Sequence, residues 1–179
     1  MSEDLYQRLR KGISRNSAFF GATPSGLEIK FLQKLFTEEE AEMYLHLTKN
    51  LETPQQIAER ARQDPETTAA TLKRMAEKGL LFPKRVGETY YYAAAPFAHG
   101  ILEHQAHKMD RELAEMYEQY MWAEKIPDGP PPQADAEIKL PLRTLPVKAP
   151  INASRPIAPY EDVRELIKSQ DRIAVAECF

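Results

Sequence analysis

TPQQIAERARQDPETTAATLKRMAEKGLLFPKRVGETYYYA, residues 53–93, sets a helix, a turn, a second helix and a hairpin in immediate succession. Thr53-Pro54-Gln55-Gln56 is a helix start. Thr53 caps, Pro54 takes the first helical position, where its missing N–H is harmless, and Gln56 completes a capping box. Ile57, Ala58 and Ala61 then fall on the inward face. Asp64-Pro65 opens the second helix after a tight turn, and Gly79, which adopts the left-handed stop without strain, closes it. Leu80-Leu81-Phe82, a break at Pro83 and the charged turn Lys84-Arg85-Val86-Gly87-Glu88 follow. With the β-branched and aromatic Thr89-Tyr90-Tyr91-Tyr92 they predict a two-stranded wing. The unit reads as a winged helix.

Upstream, Thr37 to Glu40 is another capping box, and Ala41, Tyr44, Leu45 and Thr48 share one face, so the first helix of the winged unit begins here and the unit spans residues 37–95. Leu27, Phe31 and Leu35, widened by Leu32 and Phe36, predict a core helix before it. Leu5, Leu9 and Ile13 predict a short N-terminal helix with no assigned chemistry, completing a helical segment over residues 1–36.

Downstream, in residues 96–124, Pro96 precedes a long amphipathic helix expected over 97–122. Ala98, Leu102, Ala106, Met109, Leu113, Met116 and Tyr120 form its stripe. Its length suggests packing across the domain or a homodimer. Residues 125–159, rich in proline, read as a stiff connector and an extended arm. Residues 160–179 read as a helix with Val163, Leu166 and Ile167 inward, then a short strand Ile173-Ala174-Val175-Ala176 ending at Cys178. The expected fold class is mainly α with a small β wing: a winged helix-turn-helix, a long C-terminal helix and a proline-rich arm.

A chain of 179 residues, 42% hydrophobic, can bury one real core. The net charge of −3 provides no global attraction to nucleic acid or anionic membrane, so any such attraction must be local. No apolar run approaches the roughly 20 residues of a membrane helix, and the start MSEDLYQRLRKG lacks the apolar stretch of a signal peptide. These features predict a soluble, cytoplasmic protein without a membrane partner. A single cysteine, Cys178, excludes an internal disulfide framework and fits a reducing compartment.

A winged helix reads DNA by placing its second helix in the major groove. Thr68, Leu72 and Met75 fall inward, leaving Glu66, Thr67, Ala69, Ala70, Thr71 and Arg74 outward. Two alanines offer no donors, and Asp64 and Glu66 carry the wrong sign, so Thr67, Thr71 and Arg74 are the candidates for bases. Lys84 and Arg85 on the wing, with Arg60, Arg62 and Lys73, are candidates for phosphates. Seven basic against five acidic residues between 53 and 93 leave a surplus of two, enough only for weak binding. A protein-docking module is the competing expectation. No phosphate loop, catalytic triad or convincing carboxylate pair is present, so no enzyme is expected. His104, His107, Asp110 and the adjacent Glu103 follow a helical spacing that could in principle clamp a surface metal, but polar pairs of this kind are common on solvated faces. Cys178 taken alone is inert, because an iron–sulfur cluster is held by four thiolates.

The order of these parts resembles bacterial and archaeal ferredoxin-like 4Fe-4S proteins carrying an N-terminal winged-helix domain. The resemblance is carried by ATPSGLEIKFLQKLFTEEEAEMYLHLT, EKGLLFPKRVGETYYYAAAPFAHGILEHQ, MDRELAEMYEQY, LRTLPV and PYEDVRELIKSQDRIAVAECF, nearly the whole chain. It implies an arm such as Leu142-Arg143-Thr144-Leu145-Pro146-Val147 leading to a strand that runs into cysteine-rich motifs, with Cys178 matching the first cluster cysteine. It implies an electron-transfer protein with a redox protein partner and a [4Fe-4S] cluster in a longer form, since this sequence holds no further cysteine. The alternative is a winged-helix DNA-binding regulator, or a scaffold dimerising through residues 97–122.

Overall fold

The structure, a computed structural model, describes residues 2–17, 20–126 and 160–173. It is mainly helical with one two-stranded antiparallel sheet, as the sequence leads one to expect. In chain order the helices are α1 (Ser2–Asn16), α2 (Leu27–Leu35), α3 (Glu38–Leu45), α4 (Pro54–Ala61) and α5 (Pro65–Lys78). The strands β1 (Leu81–Val86) and β2 (Thr89–Ala94) follow, then α6 (Leu102–Gln105) and α7 (Arg111–Trp122). A further helix, α8 (Tyr160–Lys168), belongs to a second unit.

The helix starts are fixed by their caps. Thr37 Oγ1 accepts the Glu40 N–H (3.2 Å) while the Glu40 carboxylate accepts the Thr37 N–H (2.9 Å). Thr53 and Gln56 repeat the arrangement at α4, and the Asp64 carboxylate accepts the Thr67 N–H at α5 (2.8 Å). Each cap satisfies backbone donors that the first helical turn leaves without a partner. Gly79 ends α5 in the left-handed region (φ 77), and here glycine is required twice over: a Cβ would lie 2.4 Å from the Cβ of His104.

β1 and β2 pair from Leu81↔Ala94 to Val86↔Thr89, closed by a two-residue turn at Gly87 (φ 59) and Glu88. Leu81, Ala93 and Ala94 at its base are buried and the tip is exposed, so packing holds only one end of the hairpin. The loop between α3 and α4 joins this sheet through reciprocal Glu52–Tyr92 backbone hydrogen bonds (3.0 and 2.8 Å) and an Ala94 N–H to Thr48 carbonyl bond (2.7 Å).

The core lies where α1, α2, α3 and α5 converge, with Leu9, Ile13, Leu32, Tyr44 and Leu72 almost wholly buried. An aromatic group anchors one side: Phe20 stacks on Phe97 (4.2 Å between ring centroids), and Phe31 and Tyr120 meet Phe97 edge-on.

The continuous helix expected over residues 97–122 does not form. Ala98 is extended and His99 left-handed (φ 58), and the Glu103 carboxylate holds this turn by accepting the His99 and Gly100 N–H groups (2.8 and 2.7 Å). A second break falls at Met109, which is extended, because Asp110 caps a new helix by accepting the Leu113 N–H (2.8 Å). The periodicity of the apolar stripe survives across both breaks, which is why it read as one helix. The dimer seam expected along that helix therefore has no continuous helical face to run along.

The expected arm over residues 142–147 and Cys178 lie outside the described residues, as do all but the first two residues of the 125–159 connector. Of the expected strand at 173–176, only Ile173 is described; it is exposed and in no strand.

Candidate functional site

α4 and α5 form the helix-turn-helix, and the wing stands beside α5. Between them lies a cleft of about 430 Å3, bounded by Pro54 and Gln55 at the start of α4, Ala69, Ala70 and Lys73 on α5, and Glu88, Thr89, Tyr90 and Tyr92 of the wing. Tyr90 and Tyr92 project from the same face of β2 and stack at 6.4 Å, with Tyr92 buried and Tyr90 half exposed. The face that would approach a duplex is thus floored by alanine methyls and a tyrosine.

The sequence-predicted base readers are differently disposed from expectation. Thr71 is only 2% exposed, correcting its outward assignment. Its hydroxyl donates to Glu39 at 2.6 Å, so the residue faces α3 rather than solvent. The i, i+3 and i, i+4 spacing of Thr68, Thr71, Leu72 and Met75 makes a buried stripe one residue wider than the sequence reading drew it. Thr67 is exposed, but its hydroxyl donates to the Asp64 cap (2.9 Å). Arg74 is half exposed and reaches back to α3, meeting Glu39 at 3.0 Å and Glu40 at 3.4 Å.

On the wing, Arg85 donates to the Gly87 carbonyl (2.9 Å) and to both Glu88 oxygens (2.9 and 3.0 Å), and its guanidinium lies 5.7 Å from the Tyr90 ring centre. Lys84 is exposed and makes no side-chain hydrogen bond or ion pair among the described residues. Of the phosphate candidates elsewhere, Arg60 pairs with Glu52 and donates to the His46 carbonyl. Arg62 ends α4 in the left-handed conformation (φ 54).

Hydrogen bonds favour the ionised forms of Asp64, Glu39 and Glu40. The backbone and hydroxyl hydrogen bonds of Thr67 lower the pKa of Asp64. The Thr71 hydroxyl, then the Arg74 guanidinium, lower that of Glu39. For Glu40, burial opposes ionisation, but hydrogen bonds from Lys78 and the Thr37 N–H and the charge of Lys78 outweigh it, and the pKa is lowered. Glu39 and Glu40, unrecognised in the sequence as partners of α5, therefore hold Thr71, Arg74 and Lys78 against α3. The signal for them was the acidic first turn of α3; the contact itself spans more than thirty residues and left no local trace.

Three of the four residues that shared a possible metal-binding spacing have other partners. His104 Nδ1 donates to the Gly100 carbonyl (2.7 Å), Glu103 holds the 98–100 turn, and Asp110 caps α7 and meets Lys34 at 3.1 Å. Among the described residues, no group of three or more His, Cys, Asp or Glu could hold a metal ion. No helix among them is long and apolar enough to cross a membrane. No protein-family model, curated protein or solved structure matches the chain.

Proposed function

We propose that the winged helix over residues 37–95 is a protein-docking platform rather than a reader of DNA sequence. The observation that carries this is the disposition of α5: Thr71 is buried against Glu39, Arg74 is drawn onto Glu39 and Glu40, and the exposed remainder presents Ala69 and Ala70 between Lys73 and Glu66. Base readout needs bidentate donors such as Arg, Asn or Gln along this face. Arg74 could leave Glu39 at small energetic expense, since exposed ion pairs are worth about 0–1 kcal/mol. Glu39 would then stand without a cation beside the incoming phosphates, while Glu40 keeps Lys78. The floor of small methyls rimmed by Tyr90 suits an apolar or aromatic side chain of a protein partner instead.

The wider assignment, to the N-terminal portion of a ferredoxin-type 4Fe-4S electron-transfer protein with a redox partner, rests on the sequence resemblance. The residues present do not fit the cluster by themselves: four thiolates hold it, and this sequence has Cys178 alone.

The duplex-binding reading draws on Lys73, which lines the cleft, and on Lys84, which is exposed on the wing. Fluorescence anisotropy with a randomised duplex pool, at physiological salt, separates the two. We expect weak, salt-sensitive and sequence-indifferent retention, unchanged in selectivity by R74A, K84A and R85A together. Selective capture of one duplex, lost in the triple variant, would overturn the docking proposal.

A further inference from the structure

α1 carries four basic residues, Arg8, Arg10, Lys11 and Arg15, and no acidic one in its second half. Arg10 turns inward and is buried, whereas Arg8, Lys11 and Arg15 are exposed. With a rise of about 1.5 Å per residue, the three exposed cations form a row roughly 10 Å long on one helix face. That row edges a cleft of about 390 Å3 between α1 and the end of α3, whose other wall is formed by Leu45 and Leu47. Gly12 gives the cleft its depth: a Cβ there would stand 3.3 Å from Leu45 Cδ2.

Among the described residues only one of the three cations meets an acid. Arg8 lies 3.6 Å from Glu42, while Lys11 and Arg15 make no ion pair among the described residues. Arg15 also stands in the last turn of α1, where a cation is favoured by the helix dipole. The cleft therefore keeps a positive surplus in a protein whose overall charge is −3. Leu45 and Leu47 are only partly buried, packed on the core from one side and open to the cleft on the other.

We propose that this cleft is a docking site for an acidic peptide segment of a partner protein, with its carboxylates on Lys11 and Arg15 and one apolar side chain on Leu45 and Leu47. The combination selects the class of ligand. A nucleic-acid backbone satisfies the cations but offers nothing to the leucines, and a lipid surface would require the apolar face of α1, where Leu5, Leu9 and Ile13 are already buried in the core. None of the cleft residues belongs to α5 or the wing, so the site is independent of the face discussed above.

The test is fluorescence anisotropy of the full chain with four probes: a labelled Glu/Leu peptide, a Glu-only peptide, a Gln/Leu peptide and a short DNA duplex. We expect the Glu/Leu peptide to bind tightest and its affinity to fall about tenfold in K11Q/R15Q, equivalent to about 1.4 kcal/mol. L47A should weaken the Glu/Leu peptide and leave the Glu-only peptide unchanged; thermal melts confirm that both variants remain folded. Equal or tighter binding of the duplex, equal binding of the Glu-only or Gln/Leu peptide, indifference to K11Q/R15Q, or no binding of the Glu/Leu peptide below about 1 mM would each overturn the proposal.

Discussion

Replacing Glu40 with Gln tests whether α3 and α5 are held together electrostatically. The Glu40 side chain is 1% exposed; it meets Lys78 at 2.5 Å and Arg74 at 3.4 Å, and it also accepts the Thr37 N–H. Breaking a wholly buried pair costs about 3–5 kcal/mol, whereas exposed pairs contribute about 0–1 kcal/mol. Lys78 and Arg74 are 38% and 47% exposed, so solvent recovers part of the loss. The expected cost of E40Q is therefore about 2 kcal/mol at neutral pH, intermediate between those limits. E40A loses the reciprocal cap as well, adding about 1 kcal/mol.

For a domain of this size, 2 kcal/mol corresponds to a fall in Tm of about 8 °C. The pH dependence carries the same signature. The folded pKa of Glu40 lies below its unfolded value, so its stabilisation is complete above the unfolded pKa, about 4.3, and is lost as pH falls through the folded pKa. Urea midpoints measured from pH 7 to pH 3 should fall in the wild type and fall less in E40Q. An E40Q protein as stable as wild type at pH 7, or one with an equally steep acid limb, would refute the electrostatic account of this junction.

Glycines 79 and 26 are both left-handed, but only Gly79 is crowded, so G79A should cost about 3 kcal/mol or more and G26A about 1 kcal/mol by chemical denaturation; equal effects would remove the His104 clash as the cause. Y44F deletes the buried hydroxyl that donates to the Ala95 carbonyl (2.6 Å) and should cost about 1–2 kcal/mol, with no loss if the bond is not formed in solution. Burial pushes the pKa of Tyr120 up to about 12, so its hydroxyl contributes stability below pH 10, lost as pH rises toward 12. In Y120F the fall in urea midpoint between pH 10 and pH 12 should be shallower than in the wild type, and an equally steep fall would contradict that.

Local chemistry made the winged unit legible. Thr37, Thr53, Asp64 and Gly79 act through neighbours three or four residues away, and Tyr90 to Tyr92 declare a strand by residue type, so each could be read without knowing the tertiary structure. The breaks at 98–99 and 109 were not legible from periodicity, because Leu102, Leu113 and Tyr120 are buried on both sides of them. Asp110 was the sign available, an N-capping residue in the middle of an expected helix. Thr71 was placed on the wrong face because an outward threonine and one bonded to a distant glutamate have the same local sequence. The basic row of α1 was visible as composition, but its significance depends on Leu45 and Leu47 coming to stand opposite it.

The backbone bonds of Glu52 with Tyr92, together with the Glu52–Arg60 pair, couple the hairpin to the helix that precedes α5. A load applied by a bound molecule at the tip, near Gly87, would travel down β2 into the 48–52 loop and the end of α4 rather than being absorbed by a free hinge. The hairpin would work as a lever with its fulcrum inside the helix-turn-helix, and grasping it would tilt both helices together.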